Sequence, residues 1–146
     1  MRRHPSLIPL SRFHRSVLFL ALVCKKNAPT VKGYPEDDEG KRDYAIAFYR
    51  AKLKPHITLE EAKLFPAVSG INHKLKTLVE ELSGEHTRLD QLFTELQSTR
   101  DLPDTLDQLG VLLESHVRKE ERQFFQLIQE SMDEEELANL GKTLSQ

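Results

Sequence analysis

The chain has 146 residues and a formal net charge of -2, with its lysines and arginines spread along the sequence. It has no concentrated basic patch, so we expect neither a nucleic acid nor an anionic membrane as a partner. The single cysteine, Cys24, excludes an intramolecular disulfide and a cysteine-rich zinc site, and it favours a reducing, cytoplasmic location. This length predicts one domain over residues 1–146 with one hydrophobic core.

The first predicted element is a helix from about Ser11, taken as its N-cap, to about Lys26. It contains an apolar run, Val17 to Cys24, which follows basic residues and superficially resembles a secretion leader. The run is too short to span a bilayer, and lysines follow it directly. We therefore predict a core helix and no membrane segment here.

The second predicted helix follows a polar loop over residues 27–40, which contains two prolines and two glycines. This helix should begin near Lys41 and end before Ser69. Pro55 within it removes one backbone hydrogen bond, at a cost of about 3 kcal/mol. The proline predicts a kink just before His56.

Apolar residues at three- and four-residue spacings predict a third helix over about 72–98 and a fourth from just after Asp101 to about Ser131. A short last helix should begin at Asp133, because Glu136 three residues later completes a capping box.

These elements make the chain all-α, with no alternating pattern of the kind that strands show. Four amphipathic helices joined mostly by short loops predict an antiparallel up-down four-helix bundle. The bundle should occupy about residues 7–131, with the short C-terminal helix over about 133–145.

Two stretches of the chain align without a gap: HITLEEAKLFPAV at 56–68 and HVRKEERQFFQLI at 116–128. Each has a histidine, a glutamate four residues later and a second glutamate directly after that. Residues four apart lie above one another on a helix face, so the histidine and first glutamate of each stretch can bind one ion together, and His86 with Asp90 has the same spacing.

Every one of the four long helices carries a histidine on its apolar side. Such imidazoles and carboxylates would cost several kcal/mol each if they were buried without partners, and a bound metal removes that cost. We expect His73, at a helix start, and His4, in a nonhelical segment, to be solvated. The predicted metal ligands are His14, His56, Glu60, His86, Asp90, His116 and Glu120.

The ligand types limit the choice of metal. Imidazole and carboxylate without thiolate suit iron, manganese or zinc. Six or seven ligands exceed what one tetrahedral zinc ion requires, so two metal ions bridged by carboxylates fit better.

This set resembles the hemerythrin-like family, also called HHE cation-binding domains. The resemblance runs from RRHPSLIPLSRFH through LKPHITLEEAKLFP and GEHTRLDQL to HVRKEERQFF. It implies a four-helix bundle around two iron ions, a non-haem di-iron centre with oxo or carboxylate bridges, for which zinc and manganese are candidate substitutes. The implied terminal ligands are the histidines, and the implied bridges are Glu60 and Glu120.

Two departures from the oxygen-carrying hemerythrins bear on function. The carriers have a second histidine on the third helix, where Asp90 stands here. Their fourth-helix acid follows the histidine by five residues, the position of Glu121, whereas Glu120 follows it by four. A third carboxylate would make the site more anionic and favour the ferric state. We therefore expect the centre to bind, sense or react with oxygen, nitric oxide, peroxide or iron in preference to carrying oxygen.

Two alternatives belong to other functional classes. A di-iron oxidase or peroxidase would use the same centre for many turnovers with oxygen or peroxide and a reductant. A metal-free helical interaction module would leave the histidines solvated or paired. Elemental analysis of the purified protein separates the module from the metal-binding hypotheses.

Overall fold

The computed structural model describes residues 2–146, which form five helices and no strand. The all-α class predicted from the sequence is confirmed. The helices are α1 (Ile8–Cys24), α2 (38–68), α3 (His73–Glu95), α4 (102–131) and α5 (Glu134–Leu144).

Helices α2 and α4 are continuous but are not α-helical throughout. In α2 the segments Asp38–Phe48, Lys54–Leu59 and Phe65–Val68 are separated by π-helical turns at Tyr49–Leu53 and Glu60–Leu64. In α4 a π-helical turn at Glu120–Phe124 joins Leu102–Lys119 to Phe125–Ser131.

The π-helical turns of α2 each end just ahead of a proline. Pro55 and Pro66 stand two residues after these turns and cannot donate a hydrogen bond to the carbonyl four residues back. The distortion expected at Pro55 therefore takes the form of a widened turn. The π-helical turn of α4 has no such proline, and it begins at Glu120 as the second turn of α2 begins at Glu60. These two turns occupy equivalent positions in the repeated stretches.

The helix starts follow their capping side chains in four cases. Asp37, Asn72 and Asp101 accept hydrogen bonds from backbone amides at the starts of α2, α3 and α4. Asp133 and Glu136 form the predicted capping box of α5. The predicted cap of α1 was wrong. That helix begins at Ile8, with a proline in its first turn, and Ser11 lies inside it.

Two apolar clusters fill the interior on either side of a polar layer. One contains Val17, Leu89 and Val117, and the other contains Leu10, Leu82 and Phe124. These residues flank the buried histidines and Glu120 along α1, α3 and α4. The polar layer is therefore enclosed by the core.

Helices α1 and α4 approach closely at Gly110. A Cβ atom there would lie 2.6 Å from the carbonyl oxygen of Ala21, which leaves room for glycine alone. This contact fixes the spacing of the helices that carry His14 and His116. In the same region the apolar run Val17 to Cys24 lies within α1 and packs into the core. Over residues 2–146, every helix is too short or too polar to cross a lipid bilayer.

Candidate metal centre

Two carboxylates lie at the middle of the polar layer. Glu60 of α2 is 1% exposed and Glu120 of α4 is fully buried. Four imidazoles surround them, one from each of the four long helices: His14, His56, His86 and His116. All of these except His56 are buried, and 9% of the His56 side chain is exposed.

These six side chains form two groups that each bring four donor atoms within 4.8 Å of one another. One group joins the two glutamates to His14 and His56, and the other joins the same glutamates to His86 and His116. Both carboxylates are therefore common to the two groups. That arrangement suits two cations with shared carboxylates between them.

The donor atoms in the centre lack hydrogen-bond partners. Both oxygens of Glu60 and of Glu120 are buried and unpartnered, as is Nε2 of His56 and of His86. The imidazole Nε2 atoms lie 2.7–3.6 Å from these oxygens, within range of charge attraction. Buried polar groups without partners cost several kcal/mol. Cations would satisfy all of these atoms, and the nitrogen and oxygen donors suit iron, manganese or zinc.

The two carboxyl groups have different pKa values in the absence of a cation. Burial raises the pKa of Glu60 well above its usual range, and the charge of Glu120 raises it further. Burial also disfavours the charged form of Glu120, but the imidazoles of His116 and His14 outweigh this and hold the Glu120 pKa well below its usual range. Glu60 therefore favours its protonated form and Glu120 its ionised form.

The imidazoles divide in the same way. Burial lowers the pKa of His14 and of His116, but hydrogen bonds and charge from the nearby glutamates outweigh it and raise each pKa to about 9. Burial lowers the pKa of His56 to about 4 and also lowers that of His86. A cation entering the centre must therefore displace protons from His14, His116 and Glu60.

Three of the imidazoles contact a second glutamate on their outer side. His14 Nδ1 lies 3.1 Å from Glu121, and His86 Nδ1 lies 2.7 Å from Glu61. An outer carboxylate that accepts from Nδ1–H leaves Nε2 free to face the centre and makes it a stronger donor to metal.

The third outer contact joins His116 Nδ1 to Glu85, at 2.8 Å. Glu85 also accepts a hydrogen bond from Lys119, at 2.6 Å. Helix α3 therefore supplies an outer carboxylate as well as a central imidazole, in consecutive residues.

The consecutive glutamates of each repeated stretch contact both sides of one imidazole. Glu60 and Glu61 lie against Nε2 and Nδ1 of His86, and Glu120 and Glu121 lie against the same two atoms of His14. The first glutamate of each pair is central and the second is outer. Glu120 therefore occupies the shared position, and Glu121 does not.

Two hydroxyl groups and one guanidinium contact the outer glutamates. Ser83 donates to Glu61 at 2.9 Å, and Ser11 donates to Glu121 at 2.8 Å. The guanidinium of Arg3 donates to the Glu121 carbonyl at 2.8 Å and lies 3.6 Å from its carboxylate. These contacts of Ser11, Ser83 and Arg3 were not predicted from the sequence.

The comparison with protein families decides the family. The family model described as hemerythrin HHE cation binding domain matches residues 12–128. The chain belongs to the hemerythrin HHE family. No curated protein and no solved structure matched it.

Asp90 does not join the ligands of this HHE domain, contrary to the expectation from spacing. Its side chain is exposed and accepts a hydrogen bond of 2.5 Å from the hydroxyl of Tyr49 on α2. The spacing of four residues is the same as that from His116 to Glu120, which does reach the centre. The contact with Tyr49 instead holds the Asp90 side chain at the surface, against α2.

The remaining histidines lie away from the centre. His73 is exposed, as predicted. His4 is not simply solvated: Nδ1 lies 2.8 Å from the Ser6 hydroxyl and Nε2 lies 2.9 Å from Glu134 at the start of α5. It connects the N-terminal segment to the C-terminal helix.

A small cavity borders the centre. Its volume is about 10 Å³, which leaves room for about one water molecule. The polar part of its wall comes from His14, His56, His116 and the two central glutamates. The apolar part is Val17, Leu53, Ile57, Leu89, Leu113 and Val117. Any ligand that enters it must be small.

Proposed function

We propose that this chain is a di-iron HHE protein that binds, senses or reacts with a small ligand such as oxygen, nitric oxide or peroxide. One observation carries the proposal: four unpartnered carboxylate oxygens, buried at the middle of the fold, are shared by two groups of four donors. Two cations account for both the sharing and the unpartnered atoms. A single cation would leave one pair of imidazoles without a role.

In this proposal His14 and His56 would hold one ion, His86 and His116 would hold the other, and Glu60 and Glu120 would be shared by both. Iron is the metal of choice because these ligands include no thiolate and because the HHE family binds cations. When bound, a pair of iron ions supplies one-electron exchange between the ferrous and ferric states. The bundle that surrounds the ions is proposed to be an antiparallel up-down arrangement of α1 to α4.

The walls of the centre favour a small ligand over an organic substrate. The cavity has room for about one water-sized molecule, and Leu53, Leu113 and Val117 close it with apolar side chains. These side chains also restrict the entry of bulk water. An organic substrate would have to displace part of the core.

The charge of the centre differs from the sequence-based expectation. Without Asp90 the ligands bring two negative charges, from Glu60 and Glu120. No third carboxylate therefore adds negative charge that would disfavour oxygen carriage. The difference from the carriers is one imidazole fewer, which supports an open coordination position on one ion.

Anaerobic reconstitution with ferrous iron tests this function. We expect two iron ions per chain and, after exposure to oxygen, the absorption band of an oxo-bridged ferric pair. Glu120→Gln should lose the two iron ions and the absorption band, whereas Asp90→Asn should keep them. Less than about 0.2 metal per chain in the wild-type protein would contradict the proposal, because a folded site of this kind retains its metal. Repeated turnover with peroxide and a reductant would identify an enzyme.

A further inference from the structure

The two groups of donors are held unequally. In the group of His86 and His116, both imidazoles have an outer glutamate, at 2.7 and 2.8 Å. Those glutamates are themselves fixed by Ser83 and Lys119. Each Nε2 of this group is thereby oriented before any cation arrives.

The group of His14 and His56 has one such contact. His14 Nδ1 lies 3.1 Å from Glu121, but the acidic groups near His56 are the central ones, Glu60 at 3.6 Å from Nε2 and Glu120. In place of an outer carboxylate, the ring of Phe13 stacks on the His56 ring with centroids 4.5 Å apart. An aromatic ring restricts the imidazole but accepts no conventional hydrogen bond from its Nδ1–H.

The inequality comes from equivalent positions on α1 and α3. On α3 the residue before His86 is Glu85, and it reaches the imidazole of α4. On α1 the residue before His14 is Phe13, and it reaches the imidazole of α2. A glutamate on one side therefore corresponds to a phenylalanine on the other.

The cavity lies on the less supported side. Its wall includes both His14 and His56 but, of the other group, only His116 and not His86. A ligand or chelator that enters the cavity therefore contacts both imidazoles of the less supported group and one of the other.

We propose that the two metal positions differ in affinity, so that the ion bound by His86 and His116 enters first and is retained while the ion bound by His14 and His56 exchanges. The inference rests on the proposed two-metal function. Removing an outer hydrogen-bond partner commonly lowers metal affinity by about 10–100-fold. One missing partner therefore predicts dissociation constants at least about tenfold apart.

Anaerobic titration of metal-free protein with Co²⁺, followed by calorimetry and by visible absorption, tests the inference without any activity measurement. We expect two ions to bind in two resolved steps. Two ions that bind with equal affinity would overturn the inference and leave the two-metal function intact. Saturation at one ion or none would overturn the two-metal function, and the inference with it.

Variants assign each step to its position. Phe13→Glu supplies the missing acceptor and should tighten the second step by about tenfold, whereas the matched control Phe13→Leu removes the ring without adding an acceptor and should not. Glu85→Leu should weaken the first step. His56→Ala should keep the first step and lose the second. The assignment is overturned if Phe13→Glu tightens the first step alone or if His56→Ala abolishes the first.

Discussion

Replacing Glu60 with methionine should stabilise the metal-free protein and abolish its stabilisation by metal. The Glu60 carboxyl is 1% exposed, neither of its oxygens is satisfied by a nitrogen donor, and burial raises its pKa, which favours the protonated form. Methionine has a similar length, no hydrogen-bonding oxygen and enough flexibility to fill an irregular space. The substitution removes these buried oxygens, and the contact that it breaks is the one between the carboxyls of Glu60 and Glu120. His86 Nε2 is already unpartnered.

The expected size of the effect follows from comparable replacements. Exchanging buried charged or polar groups for well-packed apolar ones is neutral or stabilising by about 1–4 kcal/mol. A gain of ~2 kcal/mol corresponds to a rise of about 4–8 °C in Tm for a chain of this size. With metal the wild-type protein should become the more stable of the two. A ligand at about 1,000 times its Kd adds about 4 kcal/mol to the free energy of unfolding of the protein that binds it. The variant lacks a bridging carboxylate and should gain little.

Scanning calorimetry of both proteins, with and without Zn²⁺ as a redox-inert probe, measures the two effects. Glu114→Met is the matched control, since it removes a glutamate that is paired with Lys25 and Arg118 outside the centre. The control should not gain stability without metal and should keep the rise with metal. A metal-free Glu60→Met protein that melts below wild type would refute the reasoning, because Glu60 would then stabilise the fold by itself.

Three further outcomes are expected. Metal loading at pH 7 should release protons from His14 and His116, whose pKa values are raised to about 9, and from Glu60, whose pKa is raised by burial. Each group binds metal only after losing its proton. Calorimetry in buffers of different ionisation enthalpy gives the number, and an absence of release would contradict the assigned protonation. Asp90→His should leave iron content and the decay of the diferrous state in air unchanged, since Asp90 is exposed and bonded to Tyr49; slower decay would place Asp90 at the centre. Gly110→Ala should lower Tm by several degrees through overpacking of about 1–3 kcal/mol against Ala21, with metal stoichiometry unchanged. An unchanged Tm would show that α1 and α4 separate at little cost.

Helix boundaries were predictable where a side chain caps the helix. Asparagine and aspartate are favoured at N-caps. The side chains of Asn72, Asp101 and Asp133 each accept a hydrogen bond from a backbone amide at the predicted start of a helix. The start of α1 was missed because Leu7 precedes it without a side-chain cap. Helix α2 begins earlier than predicted because Asp37 caps it, in a segment whose prolines and glycines are typical of a loop.

The buried donor cluster was predictable from spacing because its members lie on buried faces, and Asp90 shows the limit of that method. A four-residue spacing brings two side chains close, but it leaves them about 40° apart around the helix. His116 and Glu120 have this spacing within α-helical geometry, since the amide of Glu120 donates to the His116 carbonyl, and both reach the centre. Asp90 has the same spacing from His86 but accepts a hydrogen bond from Tyr49 at the surface. Spacing alone therefore does not decide which acid faces the centre.

The role of the second glutamate of each repeat could not be predicted from its own helix, because it contacts an imidazole of the neighbouring helix. Successive residues on a helix point about 100° apart, so of two consecutive glutamates one faces the centre and the other faces the adjacent helix. The imidazole of that adjacent helix presents one nitrogen to each of them. Of the two consecutive glutamates, the first supplies a central carboxylate and the second orients the imidazole of the adjacent helix. Moving the pair by one position along the helix would remove both contacts. Because α2 and α4 share this device, the difference between the two halves of the centre reduces to Phe13 and Glu85, the residues that precede the paired imidazoles of α1 and α3.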